Sequence, residues 1–221
     1  MSDQGALFDG RDNDFGLIET LLWTRDEGFS LQAEHLARLN ASSAALGFAY
    51  DEARVRDALN AAVANAASER LRVRLVLARN GTLETSVTPI EPIPSATVWR
   101  VAIAERRFSS ADPLLRHKTT RRALYEDALA EAVQRCGVDE VLFQNERGEL
   151  CEAARCNLFV PQGEILLTPP LSCGLLPGTL RAALIAQGRA RESILRLEDV
   201  ARTEFFLGNS VRGLVRARLV E

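Results

Sequence analysis

Lys118 is the single lysine among the 27 lysine and arginine residues of the chain. A guanidinium stays charged at any accessible pH, whereas an ε-amine can lose its proton, attack a carbonyl carbon and carry protons. Because arginine fills every other position that needs a positive charge, Lys118 is the first residue to consider for chemistry. The alternative is that an arginine-rich composition left one lysine by chance, and composition alone leaves both interpretations open.

A lone lysine can serve an enzyme that uses pyridoxal phosphate, and such an enzyme has three physical requirements. It needs an amine for the cofactor aldehyde, a carboxylate that keeps the pyridine nitrogen protonated, and a cradle for a phosphate dianion. Lys118 supplies the amine, and nearby Arg116, Arg121 and Arg122 would lower its pKa. Glu152, which follows a predicted strand, is the candidate carboxylate.

A phosphate requires exposed backbone N–H groups at the start of a helix, together with an arginine. A loop that opens a predicted helix offers two free amides after a glycine, and a small-residue turn after a late strand could face the same phosphate. An arginine lies on the first long predicted helix. The candidates are Arg38, Gly178, the amides of Thr179 and Leu180, and Asn209 with Ser210.

The elements that must position these residues alternate between helical and extended patterns. Apolar residues at 71, 73, 75 and 77 alternate with mostly arginine, which predicts a half-buried strand, and Asn80-Gly81 predicts a hairpin turn after it. Ser30 and Asp51 are predicted helix caps. The predicted helices are 30–47, 51–67, 120–136 and 177–187, the third with Leu124, Leu129 and Val133 facing inward. The predicted strands are 15–23, 71–77, 82–88, 97–104, 141–144, 150–152, 157–160, 165–168, 194–197, 204–207 and 214–220.

This pattern predicts an α/β (α+β) fold in two lobes. Residues 1–105 would form a smaller N-terminal α/β lobe, 106–116 an interdomain linker, and 117–221 a C-terminal α/β lobe that carries Lys118. The lysine would then lie near the junction of the lobes, which is a common place for a ligand cleft.

Composition narrows the classes of function. A net charge of -3 gives no reason to expect nucleic acid or a membrane surface as partner, and no apolar run could span a bilayer. Residues 1–14 do not resemble a signal peptide. Four cysteines without a Cys-x-x-Cys pair, and two histidines, favour neither a zinc site nor a disulfide framework, so we expect a reducing cytoplasm.

Several blocks of sequence, in order, resemble the class IV (fold type IV) pyridoxal-phosphate enzymes. The family includes branched-chain and D-amino-acid aminotransferases and aminodeoxychorismate lyase, and the resemblance extends from Phe15 to the C-terminus. Each block is weakly specific alone, and their order at domain-scale spacing carries the resemblance. The blocks are Leu-Ile-Glu-Thr at 17–20, His-Leu-Ala-Arg-Leu at 35–39, His-Lys-Thr-Thr-Arg-Arg-Ala-Leu-Tyr at 117–125, Glu-Ala-Ala-Arg-Cys-Asn-Leu-Phe at 152–159, Thr-Pro-Pro-Leu at 168–171 with Gly-Leu-Leu-Pro-Gly-Thr at 174–179, and Gly-Asn-Ser-Val-Arg-Gly at 208–213.

The resemblance implies the same roles as the physical requirements. Lys118 corresponds to the Schiff-base lysine and Glu152 to the carboxylate at the pyridine nitrogen. Arg38, Gly178, the amides of Thr179 and Leu180, and Asn209-Ser210 correspond to the phosphate cradle. Family members bind pyridoxal 5'-phosphate between the two lobes and are commonly homodimers.

Within the family, the sequence around Lys118 is closer to the lyases. Branched-chain aminotransferases carry a tyrosine five residues after the lysine, where this chain has Ala123, and Tyr125 follows two residues later. The resemblance therefore favours aminodeoxychorismate lyase, with Lys118 moving protons and Thr20 lining the substrate side. Arg107 and Arg116 are candidates for substrate carboxylates. The alternatives are a class IV aminotransferase for branched-chain or D-amino acids, and a non-enzymatic protein that kept the fold.

Overall fold

The computed structural model describes residues 15–220, which form two β-sheets with helices against them. The residues from which we predicted the absence of a signal peptide, 1–14, lie outside the described part. The smaller sheet has the strand order β2-β1-β3-β4. Its elements are β1 (Leu17–Thr24), β2 (Gly28–Phe29), α1 (Gln32–Leu46), α2 (Glu52–Val63), β3 (Arg70–Leu77) and β4 (Leu83–Pro89).

Alternation along β3 gives the smaller sheet two different faces. Leu71, Val73, Leu75 and Leu77 are buried in a core with apolar residues of α1 and α2. The residues between them point to the opposite face, because successive side chains of a strand alternate. In the antiparallel pairing of β1 with β3, Thr20 lies directly opposite Arg74.

The larger sheet has the order β10-β9-β8-β11-β12-β5-β6-β7, and β7 also pairs with β8. This second pairing closes six strands into a ring around an apolar core that includes Leu142, Leu158 and Phe205. The elements are β5 (Val98–Ile103), α3 (Ala123–Cys136), β6 (Glu140–Gln144), β7 (Leu150–Ala153), β8 (Asn157–Gln162), β9 (Ile165–Thr168), α4 (Thr179–Ala186), β10 (Ala190–Glu192), β11 (Phe205–Asn209) and β12 (Gly213–Leu219).

The position of β5 locates the passage from one sheet to the other. β5 pairs with β12 and β6 of the larger sheet, although the sequence placed it in the N-terminal lobe. The chain therefore changes sheets between residues 89 and 98, ahead of the predicted linker 106–116. Part of that linker bridges Phe108 to Asn145 and forms a 3-10 turn at Pro113–Arg116. The division into lobes at 105 and 117 stays a prediction.

Most predicted elements are present, with local differences. The Asp51 cap is confirmed, since its carboxylate accepts the Arg54 N–H at 3.2 Å. The Ser30 cap is wrong: the Ser30 N–H donates to the Leu22 carbonyl, and α1 begins after Leu31, which has a φ of 53° and no side-chain cap.

Three further details of the predicted elements are wrong. The predicted strand 194–197 is absent from the described residues, because the free edge of β9 pairs with β10 instead. α2 ends at Val63 and does not reach residue 67. Val133, predicted to face inward on α3, is 46% exposed.

Candidate active site

One cavity of about 650 Å³ lies between the two sheets, a volume typical of small-molecule sites. It is lined by all the residues that the sequence assigned to catalysis or cofactor binding except Leu180, for which only the backbone amide was invoked. Those residues are Thr20, Arg38, Lys118, Glu152, Gly178, Thr179, Asn209 and Ser210. Residues separated by up to 190 positions in sequence are thus brought together.

Backbone pairing with β1 directs Lys118 into the cavity. The Ile18 N–H donates to the Lys118 carbonyl at 2.7 Å, and the Thr120 N–H donates to the Gly16 carbonyl at 2.9 Å. Thr119, between them, is buried and bridges to Leu17. Because side chains alternate along this extended segment, Lys118 and Thr120 both face the cavity.

The environment of Lys118 disfavours its charged form. Burial lowers the pKa of the amine most, Arg122 and Arg38 lower it further, and Glu19 and Glu152 offset part of the shift, which leaves a pKa of about 7. Among residues 15–220, no group accepts a hydrogen bond from the Lys118 Nζ. A neutral, unpartnered amine of this kind can act as a nucleophile or move protons near neutral pH.

Glu152 is a buried acid that lines the cavity. It lies on β7 opposite Asn157 of β8, and its Oε1 accepts a 2.9 Å hydrogen bond from the Tyr125 hydroxyl. Burial raises the pKa of Glu152 most, to about 7, although the bond from Tyr125, the Leu176 N–H and the charges of Arg122 and Lys118 lower it. Sequence reasoning left the role of Tyr125 open, and the structure shows that its hydroxyl supports Glu152.

The start of α4 leaves room for an anion. α4 has Gly178 as its N-cap and no side-chain cap, and the first N–H groups of a helix lack acceptors within the helix. A Cβ at position 178 would lie 1.8 Å from Asn157 Oδ1, so only glycine fits there. The amides of Thr179 and Leu180 belong to this first turn, while the Leu180 side chain packs with a separate apolar cluster.

Arg38 joins this helix start to the smaller sheet. Its Nε and Nη2 donate to the two carboxylate oxygens of Glu19 at 2.9 and 2.6 Å, and its Nη1 donates to the Pro177 carbonyl at 3.2 Å. Glu19 is only 3% exposed. Burial alone would raise the pKa of Glu19, but Arg38 and His35 outweigh it and hold that pKa at about 2.

The turn at Asn209 and Ser210 also borders the cavity, and the Asn209 side chain is bonded to backbone groups in and beside the turn. Asn209 Oδ1 accepts the N–H groups of Val211 and Arg212 at 3.0 and 2.9 Å, and its Nδ2 donates to the Arg155 carbonyl. This side chain is thus committed to shaping its own turn. The Ser210 hydroxyl donates to the Thr20 carbonyl at 3.2 Å, which ties the turn to β1.

The arginines that line the cavity are not the two that the sequence suggested as ligands of substrate carboxylates. Arg107 and Arg116 do not line it, whereas Arg72, Arg74 and Arg212 do. The alternation of apolar residues and arginines at 71–77 could have predicted this, because a strand with one apolar face must point its arginines to the other side.

Two absences hold for the part of the chain that the structure describes. No cluster of three or more histidine, cysteine, aspartate or glutamate side chains could hold a metal ion. No helix there is both long and apolar enough to cross a membrane.

Comparison with known proteins shows the family. The model of the family described as amino-transferase class IV matches residues 16–220, so the chain belongs to that family. Its fold is therefore fold type IV, and the protein is an enzyme of a class that depends on pyridoxal phosphate.

Three relatives illustrate the range of names within the family. A crystal structure of a "putative amino-acid aminotransferase" from Mesorhizobium loti is 46% identical, with a TM-score of 0.88 over 94% of this chain and 100% of that one. A "putative aminodeoxychorismate lyase" from Schizosaccharomyces pombe is 28% identical over 92% of this chain and 89% of its own. A "hypothetical aminotransferase" from Mycobacterium tuberculosis, with α-ketoglutarate and PMP bound, is 25% identical, with a TM-score of 0.81 over 99% and 87%.

The cavity fits the cofactor of this family on its own geometry. It contains an amine at Lys118 with no hydrogen-bond acceptor among residues 15–220, a buried acid at Glu152, and the start of α4, which has no side-chain cap and where a Cβ at position 178 would clash with Asn157. These features meet the three physical requirements of an enzyme that uses pyridoxal phosphate.

The single lysine makes the lowered pKa directly measurable. Protein labelled with 13C-lysine gives one side-chain signal, and without cofactor we expect its titration midpoint near pH 7, well below the usual value of about 10.4. Arg122→Gln should raise the midpoint because a nearby positive charge is removed, and Glu152→Gln should lower it. Arg218→Gln, an exposed arginine outside the cavity, is the control. A midpoint near the usual value would contradict the buried geometry.

Removal of the Tyr125 hydroxyl should alter the ionisation of Glu152. Tyr125→Phe deletes a hydrogen bond that favours the carboxylate, so the pKa of Glu152 should rise above about 7. NMR titration of 13C-glutamate protein without cofactor measures this shift. Tyr50→Phe, which loses only a 3.5 Å contact to the Leu36 carbonyl, should leave the Glu152 signal unchanged. An unchanged or lower midpoint in Tyr125→Phe would refute the supporting role.

Proposed function

We propose that the protein is a lyase that converts 4-amino-4-deoxychorismate to 4-aminobenzoate and pyruvate with pyridoxal phosphate. The observation that carries this proposal is the cationic face of β3 beside Thr20. Arg74 lies opposite Thr20 and has no acidic partner among residues 15–220, and Arg72 meets only the Thr88 hydroxyl, at 3.4 Å. The substrate has a carboxylate on its ring and another on its enolpyruvyl group, and unpaired arginines suit both.

The cofactor would be held by the residues that the cavity brings together. Lys118 would hold its aldehyde and Glu152 its ring nitrogen, and the phosphate would lie against Arg38, the α4 amides at 179 and 180, and the turn at Ser210. When bound, pyridoxal phosphate supplies an aldehyde that accepts the substrate amine and a ring that withdraws electrons.

The work of the chain in this reaction is proton transfer and orientation. The substrate ring loses the proton from the carbon that bears the amine, and the enolpyruvyl group leaves the adjacent carbon with the bonding electron pair. A proton then returns to that group to give pyruvate. Lys118, with a pKa of about 7, is able to take the first proton and return one at neutral pH. Thr20 on β1 and Arg74 on β3 would orient the ring.

The same proposal extends to the pathway, the compartment and the oligomeric state of the enzyme. An enzyme that makes 4-aminobenzoate would supply folate biosynthesis. We further propose that it acts in the cytoplasm as a homodimer, as the sequence led us to expect.

A second candidate is an aminotransferase for branched-chain or D-amino acids. The specific observation in its favour is the 46% identity to the Mesorhizobium loti protein named as a putative amino-acid aminotransferase. Both reactions would use the same cofactor, held by Lys118, and the β3 arginines could take the carboxylates of a 2-oxo acid acceptor. The two candidates therefore differ in product and share the cofactor site.

The covalent link to Lys118 is tested by borohydride reduction. Reduction of the yellow holoenzyme followed by peptide mapping should place the cofactor on the peptide that contains Lys118, because the N-terminal amine is the one other primary amine that competes. Lys118→Arg should keep the positive charge but give no stable adduct. A cofactor adduct elsewhere in the wild-type chain would refute the proposed site.

The reaction is tested with purified holoenzyme and 4-amino-4-deoxychorismate. We expect equal amounts of 4-aminobenzoate and pyruvate. Arg74→Gln should lower kcat/KM by roughly 10- to 100-fold, mainly through KM, since a charge-assisted hydrogen bond is worth about 1.5–3 kcal/mol. Arg218→Gln serves as the matched control and should match the wild type.

Two other outcomes of this assay are informative. Formation of an amino acid from a 2-oxo acid, without pyruvate release from aminodeoxychorismate, would decide for the aminotransferase. If neither set of products forms, both reactions are excluded, but the proposed cofactor site is not.

A further inference from the structure

A buried series of three side chains connects the two sheets behind the cavity. Glu19 on β1, His35 on α1 and Thr179 on α4 are 3%, 1% and 4% exposed. His35 Nδ1 lies 2.5 Å from Glu19 Oε2, and His35 Nε2 lies 3.2 Å from Thr179 Oγ1. The imidazole therefore bridges an acid of the smaller sheet and the first residue of the helix that faces the cavity.

The ionisation of Glu19 determines which imidazole nitrogen carries a proton. Arg38 and His35 hold the pKa of Glu19 at about 2, so its carboxylate only accepts hydrogen bonds. His35 Nδ1 must therefore donate to it. His35 Nε2 has two options: as a lone pair it accepts the Thr179 proton, and as an N–H it donates to the Thr179 oxygen.

The bound phosphate would change which option is favourable. A phosphate dianion only accepts hydrogen bonds, and the Thr179 hydroxyl has a single proton to donate. If that proton points to His35, the phosphate loses a donor. The charge of Arg38 is already offset by its bidentate pairing with Glu19, so these two residues bring no net positive charge to the site.

We propose that His35 is a positioning residue that takes up a proton when the cofactor phosphate binds. The imidazolium then donates from Nε2 to the Thr179 oxygen, and the Thr179 hydroxyl turns to donate to the phosphate. This inference rests on the proposed phosphate cradle at α4. Because His35 lies behind Thr179 and does not line the cavity, it would act on the phosphate only through that hydroxyl.

The charged groups that face His35 are few. Glu19 comes from β1 and Arg38 from its own helix, while α4 contributes the uncharged Thr179 hydroxyl. Lys118, on the segment paired with β1, interacts electrostatically with both Glu19 and Arg38. A proton on His35 would thus change the local net charge by one, next to the proposed anion site.

The test compares pyridoxal phosphate with pyridoxal, which has the same aldehyde and ring without the phosphate. The full chain, freed of cofactor, is titrated with each compound, and calorimetry at pH 8 in buffers of different ionisation enthalpy counts the protons taken up. His35→Asn keeps a donor for Glu19 and removes the nitrogen that meets Thr179. We expect this variant to lose roughly tenfold or more in affinity for pyridoxal phosphate and less than about twofold for pyridoxal, as one hydrogen bond to a charged group predicts.

The proton count separates a phosphate-linked role from a merely structural one. Wild-type protein should take up about one more proton than His35→Asn on binding pyridoxal phosphate, and the same number on binding pyridoxal. Thr179→Val should abolish the extra proton even if His35→Asn folds poorly, and Thr179→Ser should restore it. Glu149→Gln, which disturbs a buried acid network outside the cavity, is the control and should match the wild type.

The outcomes distinguish a failure of the proposed His35 role from a failure of the proposed phosphate cradle. Equal weakening of both compounds in His35→Asn, or equal proton counts in wild type and variant, would overturn the role of His35 and leave the cradle intact. Wild-type protein that binds the two compounds equally well would overturn the proposed cradle, and the inference with it.

Discussion

The structure of the site depends on the short backbone pairing between β1 and the segment that contains Lys118. Two hydrogen bonds, Ile18 to Lys118 and Thr120 to Gly16, attach a segment that follows the first strand of the larger sheet to a strand of the smaller one. Without them the amine would have no fixed direction. With them, one wall of the cavity carries the lysine and the next strand of the same sheet carries the arginines. The ligand cavity exists because these two sheets are joined at this place.

The electrostatics of the cavity follow from the same burial. Dehydration raises the pKa of Glu152 and lowers that of Lys118, so that both reach about 7 from opposite directions. Glu19 is as deeply buried but keeps a pKa of about 2, because Arg38 pairs with both of its oxygens. The acid that lines the cavity and the acid behind it thus have different tasks: Glu152 can exchange a proton near neutrality, and Glu19 is a fixed negative charge. Different environments thus separate the pKa values of two neighbouring acids, and each acid can have its own role.

Much of the fold and most of the site could be predicted from local signals in the sequence. The alternation of 71–77 and the Asp51 cap are properties of short segments, and the structure has them as expected. The ordered blocks around Lys118 and Glu152 are equally local, and the structure brings both residues to one cavity. The failures involve contacts that no short segment specifies. The Ser30 N–H donates to the Leu22 carbonyl, and Ser30 does not cap α1. β5 joins the larger sheet by pairing with strands that follow it in sequence. Glu19 and His35 looked unremarkable alone because their roles arise only when β1, α1 and α4 meet.

The closed ring of six strands has a mechanical consequence for the cavity. β7, which carries Glu152, is hydrogen-bonded on both sides, to β6 and to β8, and it has no free edge along which to shift. Within residues 15–220, the segment with Lys118 is paired along one edge, with β1. The acid therefore acts as the stationary member of the pair, and whatever travel the chemistry requires falls to the amine and its longer, more pliable side chain.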